Sequence, residues 1–192
     1  MPTLREKIAQ MFVVDVGAQE LTAEERTTLE HYSFGGFILF GHNCCDPAQI
    51  LALTRALWDT SKCLPPFIAI DQEGGKVHRL PKPFTHFPPA ARLGATGNAA
   101  LAYKAARVTA GELSAVGINL DFAPVLDVNS NPNNPVIGDR SFASDPQKVS
   151  GFGAQWIQGL RDGRMIPCGK HFPGHGDTDK DSHFDLPVVD RC

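Results

Sequence analysis

Apolar positions along the 192-residue chain fall into short blocks of two kinds, and the two kinds alternate. Tight runs read as strands: Met11–Val16, Phe37–Phe40, Pro66–Ile70, Ile118–Val128 (interrupted by Pro124) and Met165–Phe172. Between them lie stretches with apolar residues three and four apart. One follows Asp46-Pro47, an N-cap with proline at the first helical position, and puts Ile50, Leu51, Leu53, Leu57 and Trp58 on one stripe. A second is Ala-rich, runs from about Asn98 to Val116 and stops at Gly117. A third spans Asp145 to Asp162, with Val149, Phe152, Trp156, Ile157 and Leu160 facing inward. Thr3-x-x-Glu6 and Thr22-x-x-Glu25 have the form of capping boxes and predict two more helices, the latter ending before Gly35-Gly36.

The strand runs lack strict alternation, as expected of a parallel sheet covered on both faces. Repeated strand-then-helix units admit a doubly wound sheet or a (β/α) barrel. The polar residues that follow the strands decide between them. Asp71–Glu73, Asp121–Asp127 and Lys170–His183 all sit at C-terminal strand ends, where a TIM barrel gathers its active site. A dinucleotide fold would carry G-x-G-x-x-G after its first strand, and Val16-Gly17-Ala18-Gln19 does not match. The expectation is an α/β, TIM-like (β/α) barrel, incomplete, with about the first five β/α units. Loops Leu80–Pro89 and Asn129–Asp139 are expected to line the cleft mouth.

Composition narrows the partners. With 42% hydrophobic and 20% charged residues the chain reads as a soluble globular domain. Its net charge of −3 gives no basic footprint, so nucleic acid is not an expected partner. Nor is a membrane: no run approaches the ~20 apolar residues of a span, and the charged N-terminus does not form a signal peptide. Five cysteines with no C-x-x-C pair point to reduced thiols and a cytoplasmic location.

The densest chemistry lies in Lys170-His171-Phe172-Pro173-Gly174-His175-Gly176-Asp177-Thr178 and the following Asp181-Ser182-His183. His171 and His175 would share a metal-binding face only on a helix, which Pro173 and two glycines prevent. Asp177-x-Asp179-x-Asp181 imitates an EF-hand but has Ser182 for the required glycine and Val188 for the bidentate glutamate. Gly174–Thr178 lacks the ending of a phosphate loop. Acid–base chemistry remains, because imidazole titrates near neutrality and Asp181 is close enough in sequence to pair with His183. A surface histidine beside a solvated aspartate fits the same residues. Arg79 and Arg140, on the two long loops, suit bidentate recognition of vicinal oxygens or an ordinary surface ion pair. Asp71 and Glu73 place two carboxylates beside Gly74-Gly75. Asp121 and Asp127 bracket a strand end, and their roles are not separable at this level.

Four ordered motifs carry a resemblance. Ile70-Asp71-Gln72-Glu73-Gly74-Gly75, Asn119–Asp127, Arg140-Ser141-Phe142 and Lys170–Gly176 together closely resemble glycoside hydrolase family three. The continuation Asp177-Thr178-x-x-Asp181-Ser182-His183, then Leu186-Pro187, is similar to its β-N-acetylglucosaminidase branch, which trims muropeptides in peptidoglycan recycling. The resemblance covers nearly the whole chain, so residues 1–192 are expected to form the N-terminal portion of that catalytic domain. Lys76 and His78 depart from the residues often found in the family.

The resemblance implies a TIM-like barrel and a retaining mechanism through a covalent glycosyl–enzyme. His183 would be the general acid/base, assisted by Asp181. Asp71, Arg79, Arg140, Lys170 and His171 would bind a small-molecule saccharide, with His175 and Asp177 shaping the loop. No metal or organic cofactor is implied. The nucleophilic aspartate is expected on a later strand beyond Cys192, so the chain alone is expected to be inactive. Two rival readings remain: phosphorolysis, since a histidine acid/base does not repel phosphate, and a non-catalytic sugar-binding remnant.

Overall fold

The computed structural model describes residues 3–62 and 64–189. Its helices are α1 (Leu4–Ala9), α2 (Ala23–Tyr32), α3 (Pro47–Asp59), α4 (Ala90–Ala95), α5 (Ala100–Ala115) and α6 (Pro146–Asp162). Its strands are β1 (Val13–Val14), β2 (Gly36–Leu39), β3 (Phe67–Ile70), β4 (Leu120–Asp121) and β5 (Ile166–Pro167).

All strand pairs are parallel, and the sheet order is β1-β2-β3-β4-β5. A doubly wound sheet reverses direction at a switch point; this sheet grows one way only, as the successive units of a barrel do. The unit count and the α/β class match the expectation, with five strands in place and no barrel closure among the described residues.

Local chemistry explains the helix starts. Thr3 and Thr22 form full capping boxes with Glu6 and Glu25. Asp46 Oδ1 accepts the N–H groups of Ala48 and Gln49 at 2.9 Å each, and Asp145 Oδ1 accepts that of Gln147 at 2.9 Å. Helix α2 ends at Ser33 in the left-handed region.

The core joins Phe37, Leu39, Ile68 and Ile70 of the sheet to Ile50, Leu53 and Leu57 of α3, Leu113 of α5 and Leu160 of α6. Burying each such side chain stabilises by roughly 1.5–3 kcal/mol. Helices α5 and α6 approach so closely that a side chain at Gly159 would meet the Tyr103 carbonyl. No helix among the described residues is long and apolar enough to cross a membrane.

Three sequence expectations are corrected. The strands are shorter than predicted, most of all around β4 and β5. Pro124 has no N–H to give, so regular pairing lapses after Asp121 and resumes as one bridge between Val125 and Lys170. The inward stripe of α3 is Ile50, Leu53, Thr54 and Leu57, while Trp58 is exposed. Thr54 buries by giving its hydroxyl to the Val116 carbonyl at 2.7 Å. Helix α4 had no expected counterpart; it is a single short segment opened by Pro89.

Candidate active site

The expected polar residues converge at the C-terminal ends of β3, β4 and β5. Asp71 directly follows β3, and the glycines after Glu73 take φ of 90° and 57°. These conformations turn the chain back and bring Asp71 and Glu73 to one side. Lys170 Nζ lies between them, 2.6 Å from Asp71 Oδ1 and 2.5 Å from Glu73 Oε1. Arg140 grips Glu73 with a fork, Nε to Oε2 and Nη2 to Oε1, both at 2.9 Å. Its Nη1 reaches the Val136 carbonyl at 3.4 Å. Arg79 is looser, with Nη2 3.9 Å from Asp71 Oδ2.

Exposure ranks these residues. Side chains of Glu73, Arg140 and Lys170 are 6%, 12% and 14% exposed, against 19% for Asp71 and 31% for Arg79. Glu73 is the buried pivot. Burial acts to raise its pKa, but the Arg140 hydrogen bond and the Lys170 charge outweigh it and hold the carboxyl below its ordinary value. Burial likewise works against the charge on Arg140, and Glu73 more than offsets it. Arg140 thus spends its fork inside the protein, leaving one hydrogen on each terminal nitrogen for anything else.

Beneath this cluster Asp121 is fully buried. Its Oδ1 accepts the Gln72 N–H at 3.0 Å, and Oδ2 has no hydrogen-bond partner among the described residues. Burial pushes its pKa well above the usual carboxylate range, and the Gln72 N–H only partly opposes this.

Asp127 organises the histidine loop. Its side chain has no exposed surface; Oδ2 takes His171 Nδ1–H at 2.5 Å and the His171 N–H at 3.2 Å. Oδ1 takes the His175 N–H at 2.6 Å. Burial acts to raise the Asp127 pKa, and these bonds more than reverse it. With Nδ1 bound to the carboxylate, Nε2 is the free nitrogen of His171. A side chain at Gly176 would run into the Val128 carbonyl, so the loop can lie this close only with glycine there. Asn134, buried, ties the loop to the segment after β4, with Nδ2 on the carbonyls of His175 (2.6 Å) and Thr178 (2.9 Å).

Asp181 and His183 pair as expected, with His183 Nδ1 2.6 Å from Asp181 Oδ1 and the His183 N–H on the same oxygen at 2.9 Å. These two bonds hold the Asp181 carboxyl below its ordinary pKa. The pair lies at the surface: His183's side chain is 74% exposed. It connects to the Asp127 clamp through Ser182, whose hydroxyl is 2.9 Å from His175 Nε2.

The structure therefore joins Asp71, Arg79, Arg140 and Lys170 in one ion-pair cluster and fixes His171 beside it. It sets Asp181 and His183 apart on the outer loop. A cleft of about 620 Å³ opens alongside Lys170 and His171, bordered by Leu126 and Val128. Sequence reasoning left Glu73, Asp127 and Asn134 without roles. Position at a strand end marked the first two; nothing in the Asn-rich stretch distinguished Asn134 from its neighbours.

Residues 3–192 match the family model of the glycosyl hydrolase family 3 N-terminal domain. The chain belongs to this family. A β-hexosaminidase of Photobacterium profundum is 42% identical over 180 residues, covering 93% of this chain and 53% of the relative. The chain thus spans about half the length of that relative. A family 3 β-N-acetylglucosaminidase of Paenibacillus superposes with a TM-score of 0.95 at 41% identity, over 98% of this chain and 36% of that one. NagZ of Neisseria gonorrhoeae in complex with N-trifluoroacetyl-D-glucosamine gives 0.84 at 39% identity, over 91% and 53%.

Proposed function

We propose that this chain supplies the sugar-holding groups and the proton-transfer dyad of a retaining β-N-acetylglucosaminidase that removes terminal non-reducing N-acetylglucosamine. The observation that carries the reading is the Asp181–His183 pair. Nδ1 is committed to the carboxylate, so Nε2 is the nitrogen free to hand over and retrieve a proton.

On this reading His183, as imidazolium, protonates the departing glycosidic oxygen at Nε2 while Asp181 balances the charge. The neutral ring then takes the proton of the water that releases the sugar. Asp71 accepts from sugar hydroxyls, and Arg79, Lys170, His171 and the remaining hydrogens of Arg140 complete the grip. The nucleophile is a separate carboxylate. Glu73 is held by Arg140 and Lys170, Asp127 by His171 and His175, and Asp121 is buried, so none suits that role. The carboxylate would come from a later strand, as the family resemblance implies.

The substrate inferred is an N-acetylglucosamine-terminated muropeptide or chitooligosaccharide. The sugar analogue bound to the Neisseria gonorrhoeae relative supports the sugar, and its 39% identity to this chain supports the transfer. A cytoplasmic role in peptidoglycan recycling agrees with the free thiols of Cys44, Cys45 and Cys168.

The test is N-acetylglucosamine binding by the 192-residue chain, followed by NMR. Shifts at Asp71 and Lys170 that Asp71→Ala abolishes are expected; binding undiminished in that variant would sink the reading. Turnover of an aryl N-acetylglucosaminide by this chain alone is expected to be absent. A second reading rests on the uncharged state of His183 after proton donation, which lets phosphate replace water. A protein carrying the nucleophile would then release a sugar phosphate in phosphate buffer and need phosphate for speed.

A further inference from the structure

The loop carrying Arg79 is held by a hydrogen-bond relay with a fixed polarity. The Arg79 backbone N–H can only donate, and it meets Gln72 Oε1 at 3.0 Å. That contact orients the whole Gln72 carboxamide, which is 5% exposed. Gln72 Nε2 must then donate, and its target is His78 Nδ1 at 2.7 Å. The ring nitrogen facing Gln72 is therefore the acceptor, and the imidazole is neutral with its proton on Nε2. We propose that His78 is a positioning residue for Arg79, holding the Arg79 backbone through Gln72 only while its imidazole is uncharged.

Protonation would set Nδ1–H against the Gln72 NH2. Turning the carboxamide over relieves that clash only by setting the NH2 against the Arg79 N–H. Either way one link breaks, so the charge state of one ring decides how Arg79 is held. The surroundings of His78 set where this happens. His86 stacks on it with centroids 4.0 Å apart and planes 6° from parallel, itself held by the Gly75 carbonyl at 3.0 Å. Glu112 of α5 lies near and is fixed by the N–H and hydroxyl of Thr85. Burial and the neighbouring His86 both disfavour charge on His78, while the Leu80 backbone and Glu112 favour it; the balance leaves its pKa below the ordinary value. The consequence for ligand affinity rests on the reading of Arg79 as a sugar-holding residue; the relay itself does not.

The 192-residue chain tests both parts. Without ligand, the His78 ring nitrogens and the Arg79 amide are followed by NMR from pH 8 to pH 5. Nδ1 is expected as the unprotonated nitrogen at high pH, with the Arg79 amide and Gln72 NH2 moving at the His78 midpoint. His78→Asn offers a non-titrating acceptor at the place of Nδ1 and is expected to flatten the Arg79 response. His78→Ala shifts that amide at every pH. A protonated Nδ1 at high pH, or an Arg79 amide indifferent to the His78 midpoint, would overturn the proposal.

With N-acetylglucosamine, affinity at pH 5.5 is expected to fall about tenfold from pH 7.5, the scale of one lost hydrogen bond to a charged or buried group. Every other titratable group is common to wild type and His78→Asn, so the difference between the two profiles isolates His78. Identical profiles would remove the affinity consequence. Unchanged affinity in Arg79→Ala, with the ligand-free coupling intact, would instead count against the sugar-holding reading of Arg79.

Discussion

Asp127 and His171 are joined twice through one oxygen, Oδ2, which accepts both the ring Nδ1–H and the backbone N–H of the histidine. The other oxygen holds His175. Asp127→Asn keeps the shape but turns an acceptor into a donor facing N–H groups. Since charged hydrogen bonds contribute about 1.5–3 kcal/mol each and a buried donor clash adds to the loss, destabilisation of about 2–4 kcal/mol is expected in urea unfolding. The pH dependence has a sign as well. The Asp127 carboxyl is held below its unfolded value, so its contribution is present above about pH 4 and fades as pH falls further. The variant is expected to lack that acid-side loss.

Glu73→Gln tests the pivot of the ion cluster. It leaves Lys170 and Arg140, both mostly buried, with less than their full counter-charge. Breaking a buried pair from one side costs about 3–5 kcal/mol, and the partial exposure of Lys170 favours the lower end. Arg140→Lys keeps the charge and loses the fork, and a smaller decrease of about 1–2 kcal/mol is expected by the same unfolding measurement.

The parts legible from sequence were those written in local patterns. Both capping boxes, the Asp46 cap and the alternation of five strands with the helices between them follow from residues within a turn of each other. The gathering of Asp71, Arg79 and Lys170 followed from one topological rule, that parallel strands deliver their C-terminal ends to a common rim. What stayed illegible depends on distance in sequence. Asp127 and Asp121 are alike as letters, yet one takes two backbone N–H groups from a loop over 40 residues later, while the other takes only the Gln72 N–H on one oxygen. Trp58 belongs to the apolar pattern of α3 yet is exposed, whereas the polar Thr54 is buried because its hydroxyl finds a carbonyl 62 positions away.

Asp121 carries its own pH signature. Its carboxyl titrates higher in the folded protein than in the unfolded chain, so it favours folding at acid pH and opposes it progressively as pH rises past about 4. Asp121→Asn keeps an oxygen for the Gln72 N–H and removes the titration. Its melting temperature relative to wild type is expected to climb between pH 4 and pH 7, by a few degrees in all. A difference independent of pH would show that burial does not control this carboxyl.

The exposed dyad should behave in the opposite manner. Asp181→Asn is expected to leave the melting temperature unchanged while depleting the Nδ1–H tautomer of His183, read from ring nitrogen shifts. In a protein that carries the nucleophile, turnover is expected to fall by about 10²-fold or more. Loss of stability without loss of the tautomer would mark the pair as a structural contact.

Because one carboxylate spans the amides of His171 and His175, those two residues and everything between them form a closed ring whose circumference cannot change. Phe172, Pro173 and Gly174 are a spacer of set length, and a residue added or removed there must break one side of the ring. Length variation in this loop is therefore tolerable only after Thr178, toward Asp181. The same fold can lengthen the arm that carries the proton without disturbing the hand that holds the ligand.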